Sequence, residues 1–300
     1  MHVFLTGGTG LIGRALSGAL LADGHAVTAL TRDAAAAARA LPAGVKAVEG
    51  DPARPGPWQE ALARTDACVH LAGEPVAAGR WTDASKARIE SSRVDSTRLV
   101  SEVIAAGGPR VLVAGSAVGF YGSRGDAPLD EGAGAGKGFL AQVCQRWEAA
   151  TRPAEARARV VHVRTGIVLA RDGGALPKLV LPFKVLAGGP MGHGDAWQPW
   201  LHLADEVGLL RFALLDDRVP GPLNAAAPEP ATSRDLARAI GRVLHRPSLL
   251  PAPAAALRLL LGELAEVILA SQRVVPRKAL DLGYAFRFPA LLPALRDLLG

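Results

Sequence analysis

The chain has 300 residues, with 34 Lys+Arg against 28 Asp+Glu, and it is 49% hydrophobic and 21% charged. That is enough apolar surface for a substantial core and excludes a disordered chain. The basic residues are scattered, with no run of five, so no nucleic-acid interface is expected, and an anionic small ligand is the better reading of the net charge.

From the N-terminus, no basic segment precedes an apolar run, so no signal peptide is read there. The charge-free stretches Met1–Gly13 and Val111–Ser123 are shorter than the about 20 apolar residues a membrane span needs, so no membrane association is expected. The two cysteines, Cys68 and Cys144, form neither a disulfide framework nor a metal knuckle and suggest a reducing, cytoplasmic setting. The histidines show no HExxH, and no metal site is expected.

Short apolar runs alternate with helical patterns through the first half, the signature of parallel βαβ units. Strands are expected at His2–Thr6, Ala26–Leu30, Val45–Glu49, Ala67–Ala72, Val111–Ser116 and Arg159–Val163. Helices fit at Leu11–Asp23, Ala34–Ala40, Ala84–Ala106 and Phe139–Thr151; in the first, Leu11, Ala15, Leu16, Ala19 and Leu20 share one face and Gly24 is the stop. After Arg164, Gly and Pro become frequent through Gly173–Pro199, which reads as a loop-rich pocket wall, with Gln198 and the Gly188–Gly194 loop at its mouth. Leu257–Ala270 reads as one amphipathic packing helix. The expected fold is a Rossmann-type α/β doubly wound parallel sheet over 1–165. A smaller C-terminal substrate lobe and sheet completion follow over 166–300, including a module at 247–298.

The strongest chemical signal is Gly7-Gly8-Thr9-Gly10-Leu11-Ile12-Gly13, directly after a strand and opening a helix. Glycines at this spacing permit the tight turn, close approach of phosphate to backbone, and packing of helix on strand. The helix N-terminus then stabilises pyrophosphate charge. The second strand ends Leu30-Thr31-Arg32, with Asp33 only afterwards. A carboxylate there would repel a 2′-phosphate, whereas Thr31 and Arg32 can bind one, so NADP(H) is favoured over NAD(H). The alternative is Asp33 turned toward an NAD ribose.

Asp51 after the third strand, His70-Leu71-Ala72-Gly73 ending the fourth and Ser116 with Phe120-Tyr121-Gly122 after the fifth resemble the extended short-chain dehydrogenase/reductase superfamily. More narrowly, Gly115–Gly122, Trp147-Glu148, Arg164-Thr165-Gly166, Trp200-Leu201-His202 with Asp205, and Leu260–Pro289 resemble its atypical NAD-dependent epimerase/dehydratase family, which carries a small C-terminal module. The resemblance implies a nicotinamide cofactor held by the glycine loop, Asp51, Leu71, Ala72, Gly73 and Arg164. It also implies a small-molecule substrate and allows a homodimer through the 84–106 and 139–151 helices.

One feature of the superfamily is absent. Its Tyr-x-x-x-Lys pair lowers a tyrosine pKa for proton exchange. Here the corresponding helix reads Phe139-Leu140-Ala141-Gln142-Val143-Cys144, and neither Tyr121 nor Tyr284 has a lysine four residues on. Ser116 and Tyr121 are the remaining candidates to polarise a carbonyl; otherwise Ser116 caps backbone and Tyr121 anchors its loop. Arg80, Lys86 and Arg93 can face the cleft or solvent, and Trp200 and Gln198 are substrate-side candidates. His202 either titrates near neutrality or anchors a helix start. Two functions fit: an NADP(H)-dependent oxidoreductase or epimerase on a small polar carbonyl or sugar-like substrate, or an NADP(H)-sensing binding protein.

Overall fold

A computed structural model describes residues 1–300. Seven parallel strands form the central sheet: β1 (His2–Thr6), β2 (Ala26–Thr31), β3 (Lys46–Glu49), β4 (Ala67–His70), β5 (Val111–Ala117), β6 (Arg159–Thr165) and β7 (Gly221–Ala225). Their spatial order is β7-β6-β5-β4-β1-β2-β3. The first six match the strands expected from the sequence. The seventh, Gly-Pro-Leu-Asn-Ala at the sheet edge, carries too little apolar pattern to be read as a strand.

Both faces are covered, and the period-2 alternation of the strands shows it. Val3, Leu5, Val69, Val113, Val161 and Val163 pack one face with Leu16 and Leu20 of α1 (Leu11–Ala22). Phe4, Cys68, Leu112, Ala114 and Val160 pack the other with Val100 and Ile104 of α2 (Asp83–Ala105). The helix α3 (Phe139–Ala149) docks beside α2, where the Trp147 indole N–H donates to Thr97 at 2.9 Å.

The stretch expected as loop after β6 contains α4 (Leu176–Lys184), concealed in the sequence by Pro177 and Pro182. It joins a second core with Trp200, Leu236, Ile240 and Leu295, built with α6 (Ser233–Leu244) and α7 (Leu291–Leu299), while α5 (Leu203–Leu215) covers the main sheet. The expected single helix at Leu257–Ala270 is instead two, Ala254–Leu261 and Leu264–Ile268, because Gly262 between them takes a positive φ of 62°. Far from packing, Ala254–Leu261 buries no residue. The segments 166–200 and 247–300 do meet. Leu250 donates to the Gly188 carbonyl at 3.1 Å, Gly192 to the Ala252 carbonyl at 2.9 Å, and Gln272 to the Trp197 carbonyl at 3.1 Å. Asp205, buried at the start of α5, fastens the C-terminal chain by accepting from the Arg287 and Phe288 amides at 2.7 and 2.9 Å.

The carboxyl ends of β1 and β4, where the strand order reverses, are pinned by a buried polar chain. Thr6 Oγ1 accepts from the Leu71 and Ala72 amides at 3.2 and 3.1 Å, so its proton goes to His70 Nδ1 at 2.7 Å. His70 Nε2–H then donates to Ser96 at 3.0 Å, and Ser96 to the Ser92 carbonyl at 2.6 Å. This bonding assigns a neutral imidazole, and burial pushes its pKa from 6.5 down to about 4. Between those values the unfolded chain holds the extra proton. The stability His70 contributes is therefore full above about pH 6.5 and declines toward pH 4, by up to about 3 kcal/mol. Urea unfolding at about pH 7.5 and about pH 5 should show His70→Asn losing about 2 kcal/mol less than the parent between the two. Identical losses would contradict a buried neutral His70.

Candidate functional site

The glycine loop follows β1 at the sheet's reversal point, and its geometry explains its composition. Gly7 has φ +72°, and a Cβ there would stand 2.8 Å from the Leu71 carbonyl carbon and oxygen. A Cβ on Gly13 would stand 2.7 Å from Gly8 Cα and collide with the Gly7 carbonyl oxygen. Gly10 caps α1 without a side-chain bond, whereas α2 and α6 begin with full capping boxes from Thr82 and Thr232. The first-turn amides at Leu11, Ile12 and Gly13 thus carry the helix's positive end with no internal anion, and Thr9 is exposed beside them. A dinucleotide pyrophosphate fits this cradle in shape and in charge.

At the end of β2, Arg32 is exposed and has no side-chain partner. Asp33, the alternative ribose acid, caps the Ala34–Ala40 helix by accepting from the Ala36 amide at 2.9 Å. The Thr31 hydroxyl is buried and donates to the Asp33 carbonyl at 3.0 Å, so it builds the turn rather than standing free for a phosphate. Asp51 closes its own turn on the Ala53 amide at 2.9 Å. At the end of β4, Leu71 and Ala72 are held through Thr6, and a Cβ on Gly73 would lie 3.1 Å from the Arg93 guanidinium. That guanidinium is pinned by the Glu74 and Ile89 carbonyls at 2.9 and 3.0 Å, which fixes a cation beside the cradle.

The far wall is organised by a buried ion pair. Arg164, at 4% exposure, meets Glu148 through two bonds of 2.8 Å, and its guanidinium lies 3.6 Å from the centre of the Phe120 ring. Arg164 therefore supports the wall, and the expectation that it binds cofactor is corrected by this engagement. Ser116, at the end of β5, donates to Glu148 Oε1 at 2.7 Å. With its proton committed, Oγ presents lone pairs and is set to accept from a hydroxyl rather than to donate to a carbonyl.

Tyr121 requires the larger correction. It is fully buried; its hydroxyl donates to Asn224 Oδ1 at 2.7 Å and accepts from Arg164 at 3.0 Å, and burial raises its pKa. Acting as a proton donor would break its bond to Asn224, and its ring is enclosed, so Tyr121 is an anchor. The wall where Tyr-x-x-x-Lys would stand is apolar: a Cβ on Gly119 would touch Leu140 at 3.3 Å and Cys144 Sγ at 3.8 Å, and Phe139 meets Trp81 edge-on at 5.1 Å. The buried Cys144 thiol is pushed up to about 12, so it is not a thiolate nucleophile.

The substrate-side candidates divide. Lys86 pairs with Glu263 at 2.6 Å, and Arg80 lies against Gly262, so the C-terminal module meets the mouth of α2 there. Trp200 is 1% exposed and donates to the Glu229 carbonyl at 3.1 Å, which makes it core. Gln198 is buried and strand-paired with Ala231. His202 caps α5 by accepting from the Ala204 amide at 3.0 Å, and burial lowers its pKa, which makes it a helix anchor. Sequence reasoning missed Glu148 and Asn224 as organising groups. The adjacent Trp147-Glu148 pair was visible, but the partners of Glu148, Ser116 and Arg164, lie on β5 and β6.

Comparison with known proteins follows this geometry. Residues 3–226 match the NAD dependent epimerase/dehydratase family, and residues 252–298 match a domain of unknown function, DUF1731. The chloroplastic epimerase family protein SDR39U1 homolog of Arabidopsis thaliana is 40% identical over 100% of this chain and 87% of its own length. The epimerase family protein YfhF of Bacillus subtilis is 36% identical over 100% of this chain and 98% of its own. The crystal structure of human epimerase family protein SDR39U1 with NADPH superposes with a TM-score of 0.88 at 34% identity, covering 100% and 99% of the two chains. A UDP-glucose 4-epimerase of Thermotoga maritima, with UDP-glucose, shares the fold at a TM-score of 0.80 and 16% identity over 100% and 97%. The chain belongs to the NAD dependent epimerase/dehydratase family, as an atypical short-chain dehydrogenase/reductase that carries the DUF1731 module.

Proposed function

We propose that this protein binds NADP(H) at the carboxyl edge of its sheet and carries out oxidoreductase or epimerase chemistry on a small polar, sugar-like substrate. The observation that carries the reading is the end of β2. The partnerless Arg32 follows the strand, and the adjacent acid, Asp33, is spent on a helix cap. The human relative crystallised with NADPH supports the same choice. The glycine loop and the first turn of α1 would hold the pyrophosphate, Arg32 the 2′-phosphate, and the Leu71–Gly73 main chain with Arg93 the central part of the molecule. When bound, the nicotinamide supplies a hydride donor or acceptor.

The chain's own contribution to proton movement centres on Ser116. A substrate hydroxyl can donate to Ser116 Oγ while the serine's own proton passes along its 2.7 Å bond to Glu148 Oε1. This relay replaces the missing tyrosine. A second reading, a cofactor-sensing binding protein, draws support from the burial of Tyr121 and the 4% exposure of Ser116.

Two measurements test these assignments. In fluorescence titrations NADPH should bind more tightly than NADH, and Arg32→Ala should weaken NADPH alone by about ten- to hundredfold. Equal affinities in the parent would contradict the 2′-phosphate site. In a screen of sugar alcohols and nucleotide sugars with NADP+, Ser116→Ala should lower kcat about 10²-fold or more, while Tyr121→Phe stays within about threefold of the parent. Undiminished turnover in Ser116→Ala would remove the relay, and NADPH binding without turnover of any substrate would favour the sensor.

A further inference from the structure

Among the acid-free stretches of this chain, two bear on its surface: 173–194 and 236–262, in a protein that has 28 Asp+Glu. They lie side by side, joined by the Leu250–Gly188, Ala252–Pro190 and Gly192–Ala252 main-chain bonds, and Gly189 packs directly on the Leu250 backbone. Between them they carry Lys178, Lys184, Arg238, Arg242, Arg246 and Arg258, all exposed. None of the six takes part in an ion pair.

The same segments hold most of the protein's exposed large apolar side chains. Leu249 is 81% exposed, Leu259 80%, Val185 and Leu260 70%, Leu181 63%, Leu250 58% and Leu186 54%. Leu186 is also held at φ +59°, a conformation that costs a leucine backbone strain. The helix Ala254–Leu261 is apolar at every position except Arg258 and buries nothing. An all-round apolar helix needs cover.

We infer that this face docks on an anionic lipid surface, with the leucines entering the headgroup region and the basic side chains meeting lipid phosphates. The charge pattern selects this occupant. A symmetric contact with a second copy would set the same unpaired cations against one another. An anionic bilayer offers complementary charge and an apolar layer at one interface. Glu229 and Asp235 share a groove with Arg238 and Arg242 on the α7 side of the basic face, and Glu263, which follows Gly262, is paired with Lys86; Lys184, Arg246 and Arg258 lie outside that groove. This is surface docking: no helix is long and apolar enough to cross a membrane. The sequence expectation of no membrane association weighed spanning segments alone, because it could not see two separated acid-free segments brought together.

The test is co-sedimentation of the full chain with vesicles of phosphatidylcholine alone or with about one-third phosphatidylglycerol, alongside light scattering of the free protein. The anionic vesicles should bind the protein, and added salt should release it. Leu249→Ser with Leu250→Ser should weaken the partition by about tenfold or more at unchanged charge. Arg246→Ala with Arg258→Ala should weaken it by about thirtyfold. Unchanged melting temperature and NADPH affinity in both variants establish that the fold is intact. Equal partition into neutral and anionic vesicles, or none into either, would overturn the inference. So would a dimer that the leucine substitutions dissociate.

Discussion

The Arg164–Glu148 ion pair is the interaction on which the working face of this protein depends. Charges buried this deeply cost several kcal/mol to desolvate and persist only when their bonding is complete, as the two 2.8 Å contacts make it here. Each remaining valence of the pair holds another part of the wall. Glu148 takes the proton of Ser116, and Arg164 bonds the Tyr121 hydroxyl and lies over Phe120. Tyr121 is thereby drawn inward to Asn224, whose amide nitrogen donates to the Leu129 and Val275 carbonyls at 3.2 and 3.0 Å. The loop after β5 is thus tied to β7 and to the C-terminal module through one continuous set of bonds. Loss of either charge would strand the other and loosen the whole wall.

Opposite this wall stands a cradle built by subtraction. Gly7 and Gly13 are defined by the space a Cβ would fill, and α1 begins without the side-chain cap that other helices of the same chain possess. The two halves of the site therefore follow different logics. On the cradle side the first-turn amides of α1 and the Arg32 side chain are left open to a ligand; the polar groups on the wall side are engaged with one another. Arg32 belongs to the open set and Tyr121 to the closed set, which is why the two residues, both prominent in the sequence, have different fates.

Much of the fold was legible because local signals agreed with the global answer. The six core strands alternate side chains between two buried faces, and the glycine spacing leaves few other uses. What was not legible depended on distant partners. Tyr121 takes its character from Asn224 on an edge strand whose Gly-Pro start hides it. Arg164 looked like a cofactor ligand because its partner Glu148 sits on a separate helix. The helix α4 was masked by two prolines, and the periodicity across Leu257–Ala270 gave no sign of the turn at Gly262. Arg32 follows β2 directly in the sequence, but its freedom from an internal partner, with Asp33 engaged by Ala36, is visible only in three dimensions.

A crystal structure of the complex with NADPH is the most direct test of the central claim, that an open cradle faces a closed wall with Ser116 at its reacting end. The account predicts pyrophosphate oxygens on the amides of Leu11–Gly13, the 2′-phosphate on Arg32, and Ser116 Oγ facing the nicotinamide ring with its bond to Glu148 retained. A 2′-phosphate directed into solvent away from Arg32, or a nicotinamide screened from Ser116, would contradict it.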